Sequence, residues 1–142
     1  MSKLSTLPLE RALSALEKSI AVTQELLKDK KTTEAHRETL QAGVIQHFEF
    51  CYELCYKTLK RHFELESQTA ALFDTMSYQE LIREGAEKGL ILHARKWMDY
   101  RHKRNLTSHT YNPVTAAEVY QSAVTFYKDA SDLLRKLQEK HT

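Results

Sequence analysis

Arg104 and His109 lie five residues apart and are the two side chains of this sequence best suited to phosphate chemistry. A histidine whose pKa is near neutrality can take the proton of a ribose 2′-hydroxyl or protonate a leaving oxygen. A guanidinium can stabilise the charge that builds on the phosphoryl oxygens in the same reaction. Because RNA carries its own nucleophile, such a pair suffices for metal-independent RNA cleavage. The Arg-x4-His spacing often occurs by chance, so the residues around the pair must also indicate phosphate chemistry.

The residues around this pair are strongly basic. Five cations lie between His93 and His109 against a single acid, Asp99: Arg95, Lys96, Arg101, Lys103 and Arg104. In a chain whose formal net charge is only +2, such local clustering is typical of a phosphate-binding surface. A basic helix end that complements the helix dipole is the alternative. That alternative explains the charges but not the Asn, Thr, Ser, His and Tyr residues that follow them.

Helical geometry makes a prediction about how these side chains can meet. At about 100° per residue, Arg101, Asn105 and His109 would share one face of a helix, and Arg104 and Tyr111 would share another. Arg104 and His109 would then lie about 140° apart around the helix. We therefore expect the helix to end or bend between them, or a second subunit to supply the other half of the site.

Two further groups on one predicted helix are candidate ligand sites. Cys51 and Cys55 share a helix face, but a metal would need two more ligands, so we interpret both as core residues and predict no metal site. Glu53 and Lys57 are spaced for an exposed ion pair, with contact to a ligand or partner as the alternative. The remaining histidines show no shared spacing and are predicted on the surface: His36, His47, His62 and His141.

Length and composition predict one helical domain, residues 1–142. Only three glycines and two prolines occur, and helix-forming residues dominate. The N-terminus has no signal-peptide core, and no apolar run approaches the roughly 20 residues of a membrane span. Two cysteines without an export signal indicate a reducing cytoplasm. The near-neutral net charge excludes nucleic-acid binding by bulk electrostatics.

Periodicity and capping signals predict five helices. The first two segments are 4–29 and 33–65. A short helix runs from the Ser77 capping box to Gly89, a fourth runs from about 92 into the basic segment, and the last begins at Asn112 or Thr115. The second has apolar residues over so wide an arc that it must be central or shared with another subunit. The expected architecture is an all-α, antiparallel up-and-down bundle with a four-helix core.

Three segments in this order resemble the nucleotidyltransferase substrate-binding family of the HEPN superfamily. They are "VIQHFEFCYELCYKTLKRHF", "LIREGAEKGLI" and "ARKWMDYRHKRNLTSHTYNPVTAAEVY". The resemblance covers roughly residues 5 to 138. Its most specific part, "RNLTSHTY", matches the Arg-x4-His-x-Tyr signature of HEPN toxins that are encoded beside a minimal nucleotidyltransferase antitoxin.

The resemblance implies a homodimer in which the motifs of two subunits line one cleft. It implies endoribonuclease activity without a cofactor, with Arg104 and His109 as the catalytic pair. The partner nucleotidyltransferase would silence the toxin in part by transferring AMP from ATP to Tyr111, where a bulky anion repels RNA. Phosphate contacts or supports would come from the polar residues around the pair: Arg101, Lys103, Asn105 and Ser108.

Two departures from the family pattern lie outside the signature. The position before the motif arginine is often acidic but is Lys103 here, and the usual Trp-Lys pair is displaced to Tyr56 and Lys57. The family's name also suggests an alternative, a non-catalytic subunit that presents a nucleotide or another substrate to the transferase. A helical scaffold whose polar cluster only stabilises a dimer is a third hypothesis.

Overall fold

The computed structural model describes residues 4–141; residues 1–3 and 142 of the predicted domain lie outside that range. Within it the chain forms five α-helices and two short 3₁₀ turns, Ala70–Asp74 and Thr107–His109. The helices are α1 (Leu7–Leu27), α2 (Glu34–Glu66), α3 (Tyr78–Glu87), α4 (Ala94–Asn105) and α5 (Pro113–Lys140). The prediction of an all-α fold is confirmed. Among these residues no helix combines the length and the apolar composition needed to cross a membrane.

Local side-chain chemistry sets the helix ends. Ser77 accepts a hydrogen bond from the backbone N–H of Glu80 at 3.1 Å and opens α3. The Ser77 hydroxyl also donates to the Glu80 carboxylate at 3.2 Å, a variant of the expected reciprocal bond. Gly89, with φ at +76°, closes this segment in the left-handed region. The Asn112 side chain accepts from two backbone N–H groups just after Pro113, at 2.9 and 3.4 Å, so α5 starts at Asn112 rather than at Thr115.

Helix α2 is the centre of the bundle and packs most extensively against α1 and α5. The connection after α1 is short, and the Thr23 hydroxyl reaches the Leu40 carbonyl at 3.4 Å, as an antiparallel hairpin requires. Cys51 and Cys55 are free thiols buried on α2. Burial raises the pKa of the Cys51 thiol to about 12, so it is an inert part of the core, as predicted.

An aromatic cluster fixes α4 against the rest of the bundle. The Phe126 ring of α5 lies edge-on to Phe48, Trp97 and Tyr100, with ring centroids 5.1, 5.6 and 5.1 Å away. Such edge-to-face pairs contribute beyond their buried area. The Tyr100 hydroxyl also donates to the Asp129 carboxylate, and burial raises the pKa of Tyr100. This packing fixes the position of α4 in the bundle, and therefore that of the basic segment at its end.

The prediction that His62 lies on the surface is wrong, because its side chain is fully buried. It continues the apolar stripe of α2 one turn beyond Leu59. Its Nδ1 lies 2.7 Å from Nε2 of His141, which ties the end of α2 to the end of α5. Its Nε2 approaches Glu66 at 3.3 Å but has no hydrogen-bond partner among residues 4–141. Burial lowers the pKa of His62, so the ring is neutral near pH 7.

Candidate functional site

Arg104 is held from two directions at the end of α4. Its Nε donates to Oε1 of Glu53 on α2 at 3.3 Å, and its Nη1 donates to Oγ1 of Thr107 at 3.2 Å. The Thr107 hydroxyl in turn donates to the Arg104 carbonyl at 2.8 Å. Because the Arg104 and Glu53 side chains are 32% and 43% exposed, their ion pair contributes only about 0–1 kcal/mol to stability. The contacts orient the guanidinium more than they stabilise the fold.

The predicted ion pair between Glu53 and Lys57 is wrong. Glu53 pairs with Arg104, 51 positions away in sequence, rather than with its helical neighbour Lys57. The reason is that α4 crosses α2 close to Glu53, where a guanidinium offers a better directed donor than a flexible ammonium. Lys57 is exposed, and its contact with a ligand or partner stays a prediction.

His109 has a different environment, although it is close in sequence. It ends the 3₁₀ turn Thr107–His109, and its side chain is exposed. Its backbone N–H donates to the Leu106 carbonyl at 2.9 Å, and its carbonyl accepts from the Asn112 N–H at 3.2 Å. The imidazole lies beside the Tyr111 ring, with the centroids 6.1 Å apart and the planes at 69°. The backbone is fixed here, whereas the imidazole nitrogens face solvent.

The helix ends between Arg104 and His109, as predicted, because α4 stops at Asn105. Consequently the alignments of a continuous helix, His109 with Arg101 and Asn105 and Tyr111 with Arg104, do not form. They require the helix to continue, whereas the 3₁₀ turn changes the direction of the chain. Among residues 4–141 no hydrogen bond or ion pair joins Arg104 to His109.

Arg104 opens onto a surface cavity of about 320 Å³, the arginine groove. Its walls come from α2, α3 and α4: Tyr52, Glu53, Tyr56, Tyr78, Arg101, Arg104 and Asn105. Burial raises the pKa of Tyr52 to about 12 and also raises that of Tyr78, so both phenols are neutral. From the sequence, Tyr52 and Tyr56 belong to the wide apolar arc of the second helix. Their i, i+4 spacing beside Glu53 was the one available signal that they border a polar site.

Tyr111 lines a second cavity, of about 330 Å³, the Tyr111 groove. It lies between the start of α2 and the start of α5, with two carboxylates, Glu34 and Glu38, on its α2 side. Tyr111 itself is 84% exposed, unusually open for an aromatic side chain. Its hydroxyl is therefore accessible to another protein.

Lys103 and Ser108 are the other predicted phosphate contacts, and neither lines the arginine groove. Lys103 forms an ion pair with Asp99 at 3.1 Å, so its charge is partly neutralised. Ser108 is exposed in the 3₁₀ turn. Their contact with phosphate stays a prediction. In the described part of the chain no group of three His, Cys, Asp or Glu side chains is arranged to hold a metal ion.

Comparison with known proteins shows the family of this chain. The family model described as nucleotidyltransferase substrate binding protein like matches residues 5–139, almost the whole chain. The chain belongs to this family. The resemblance that the Arg-x4-His-x-Tyr segment indicated is thus confirmed at the level of the family.

Individual proteins with a name or a solved structure are also similar to this chain. A Haemophilus influenzae protein named probable ribonuclease HepT is 37% identical over 105 residues, which are 74% of this chain and 72% of that protein. A solved Haemophilus influenzae structure, described as the fold of a substrate binding domain of a nucleotidyltransferase, matches with a TM-score of 0.88 and 32% identity. That match covers 94% of this chain and 99% of the other. A Thermus thermophilus structure matches with a TM-score of 0.61 and 26% identity, over 86% and 98% of the two chains.

Proposed function

We propose that this protein is a metal-independent endoribonuclease of the toxin type, with Arg104 and His109 as its catalytic pair. The observation that carries the proposal is the position of Arg104, which Glu53 and Thr107 orient at the point where α4 ends, five residues before an exposed imidazole. The relative named probable ribonuclease HepT supports the same reaction class.

Each side chain has a defined part in the proposed reaction. His109 takes the proton of the ribose 2′-hydroxyl, and the resulting oxygen attacks the adjacent phosphorus. The bond to the 5′-oxygen breaks, that oxygen takes a proton from water, the His109 imidazolium returns its proton to the solvent, and a 2′,3′-cyclic phosphate remains. Arg104 stabilises the negative charge on the non-bridging oxygens during this step. Arg101, Asn105, Lys103 and Ser108 serve as RNA or phosphate contacts or as supports.

The two catalytic side chains come together in a homodimer in this proposal. Within one chain Arg104 points to Glu53 and Thr107, whereas His109 is open to solvent, so a cleft shared by two motifs would complete the site. Light scattering at micromolar concentration should give twice the mass of the 16.6 kDa chain. A stable monomer under those conditions would exclude the shared cleft.

RNA cleavage in EDTA tests the reaction directly. The wild-type protein should yield 2′,3′-cyclic phosphate ends, and Arg104→Ala and His109→Ala should each abolish them. Matched controls are Arg83→Ala, which removes an exposed arginine of α3, and His102→Ala, which removes an exposed histidine of α4. Persistent integrity of every RNA tested would exclude a ribonuclease, and equal loss of activity in the controls would exclude the assigned pair.

The partner in this proposal is a minimal nucleotidyltransferase, which silences the toxin by complex formation and by AMP transfer to Tyr111. The 84% exposure of Tyr111 and its place two residues from His109 support this role. Mass spectrometry after incubation with the partner and ATP should find AMP on Tyr111. An adduct on another residue would reject this part of the proposal.

A non-catalytic subunit that binds a nucleotide for the transferase is the second candidate. The family description and the description of the solved Haemophilus influenzae structure favour it. In that case RNA stays intact while the chain increases the activity of the transferase on its substrate. The cleavage assay described above separates the two candidates.

A further inference from the structure

The arginine groove contains an aromatic surface to which the proposed reaction assigns no role. The Tyr56 side chain is half-buried and lines the groove with its ring stacked on Tyr78, at a centroid distance of 5.7 Å and an angle of 30°. Tyr78 is buried, and its hydroxyl donates to the Trp97 carbonyl at 3.0 Å. Tyr56 is therefore a partly exposed ring on a support that α2, α3 and α4 hold in place.

Tyr78 also positions a cation of the same groove. The Arg101 guanidinium carbon lies 5.1 Å from the centroid of Tyr78, a cation–π contact. Arg104 is paired with Glu53, but Arg101 forms no ion pair with a carboxylate within residues 4–141. Arg101 therefore carries the unneutralised positive charge of the groove. Asn105, one turn further along α4, adds an exposed amide with two donors and an acceptor.

A fixed aromatic face, a free cation and an exposed amide are the components of a nucleotide subsite. Bases of single-stranded RNA stack on aromatic side chains and bond through their exposed edges, and cations hold the neighbouring phosphates. The volume of about 320 Å³ is at the small end of the roughly 300–1,000 Å³ of small-molecule pockets. It suits one nucleotide rather than a duplex.

We propose that the arginine groove is a nucleobase subsite in which one unpaired RNA base stacks on Tyr56, Asn105 bonds its edge and Arg101 holds the adjacent phosphate. This inference rests on the proposed ribonuclease function and identifies its substrate class as single-stranded RNA. Stacking tolerates all four bases, so the subsite selects unpaired nucleotides with little sequence preference. Base-paired RNA cannot enter, because its bases are stacked on each other.

Binding measurements in a non-cleaving background test the subsite. The probe is a short fluorescent single-stranded RNA, and anisotropy is measured with the full chain carrying His109→Ala. Adding Tyr56→Phe keeps the ring and should leave affinity nearly unchanged, whereas Tyr56→Leu keeps an apolar side chain without the ring and should weaken binding about 5- to 100-fold. Equal affinity of the Phe and Leu variants would overturn the proposal.

An abasic probe separates stacking from an effect on the fold. If Tyr56 stacks on a base, Tyr56→Leu should weaken binding of the normal RNA but not of an RNA whose nucleotides lack their bases. Loss of affinity for both probes to the same extent would overturn the stacking role.

The salt dependence of RNA affinity tests the proposed contact between Arg101 and phosphate. Arg101→Gln should reduce the slope of log affinity against log salt by about 0.7, the value for one phosphate contact on a single strand. Arg83→Gln, which removes an exposed charge outside the groove, should leave the slope unchanged. An unchanged slope in Arg101→Gln would remove Arg101 from the subsite.

Failure of the subsite is distinguishable from failure of the ribonuclease. Cleavage by the wild type together with equal binding by Tyr56→Phe and Tyr56→Leu excludes the subsite alone. Intact RNA together with binding that depends on the Tyr56 ring excludes the ribonuclease and keeps the subsite. Absence of RNA binding in every variant excludes both.

Discussion

Arg104 and His109 are neighbours in sequence, yet their supports are of different kinds. Arg104 has three side-chain or backbone hydrogen bonds through Glu53 and Thr107, and it lies on a groove with a second arginine. His109 lies on an exposed 3₁₀ turn with the Tyr111 ring beside its imidazole, and Tyr111 borders a groove with two carboxylates. The arginine half of the site is thus formed within one chain. The histidine half stays accessible, both to another subunit and to a modifying partner.

The prediction with the largest expected effect tests whether His109 contributes to the reaction without contributing to the stability of the fold. His109→Ala should lower RNA cleavage about 10²- to 10⁴-fold, the usual contribution of general acid–base catalysis, while leaving the melting temperature unchanged because the side chain is exposed. Cleavage and thermal melting are measured on the same preparation, with His102→Ala as the control. A large fall in melting temperature would show that the imidazole supports the fold and would remove the contrast with Arg104.

The accessibility of Tyr111 gives the second prediction. Tyr111→Phe should resist the part of silencing that depends on ATP, because the aromatic ring remains but the hydroxyl that accepts AMP is gone. The measurement is the ratio of RNA cleavage with and without the nucleotidyltransferase and ATP. Tyr120→Phe, on α5, is a matched control because Tyr120 is buried. If wild type and Tyr111→Phe are silenced to the same extent, complex formation alone is the off-switch.

A smaller effect should follow when a hydrogen bond that orients Arg104 is removed. Thr107→Val keeps the branched shape but removes both hydrogen bonds of the hydroxyl, and the one that orients the Arg104 guanidinium contributes about 0.5–1.5 kcal/mol. Cleavage should fall about 2- to 13-fold. Thr107→Ser retains the hydroxyl and should stay near wild type. Equal activity of the Val and Ser variants would mean that Glu53 alone orients Arg104.

The last prediction separates the pH dependence of the fold from that of His109. His62 has a lowered pKa in the folded chain because of burial, with His141 and Lys140 adding to the effect and Glu66 opposing it. Below about pH 6.5 the unfolded chain therefore binds a proton that the folded chain rejects, so stability is lost as pH falls.

The melting temperature should therefore decrease between pH 7 and pH 5, as the folded chain loses the stability that a neutral His62 provides. His62→Gln should flatten this dependence, whereas His102→Ala, at an exposed position, should not. An identical slope in His62→Gln and wild type would assign the effect to other groups.

Local features of this molecule could be predicted from sequence, and contacts across the bundle could not. Ser77, Gly89 and Asn112 act through neighbours a few residues away, so the helix ends followed from short patterns. The pairing of Glu53 with Arg104 depends on the crossing of α2 and α4, which no periodicity specifies. His62 was misplaced although it continues the Cys55–Leu59 stripe, because its residue type outweighed its spacing.

The bond between Glu53 and Arg104 also has a consequence for synthesis on the ribosome. The two residues that orient Arg104 belong to α2 and to the turn after α4, and α4 is fixed by Phe126 of α5. Since domains fold as units during translation, we expect the site to assemble only when nearly the whole chain has emerged. If the chain is the ribonuclease proposed above, its nascent form would be harmless to the RNA that encodes it, and the reactive form would appear at release.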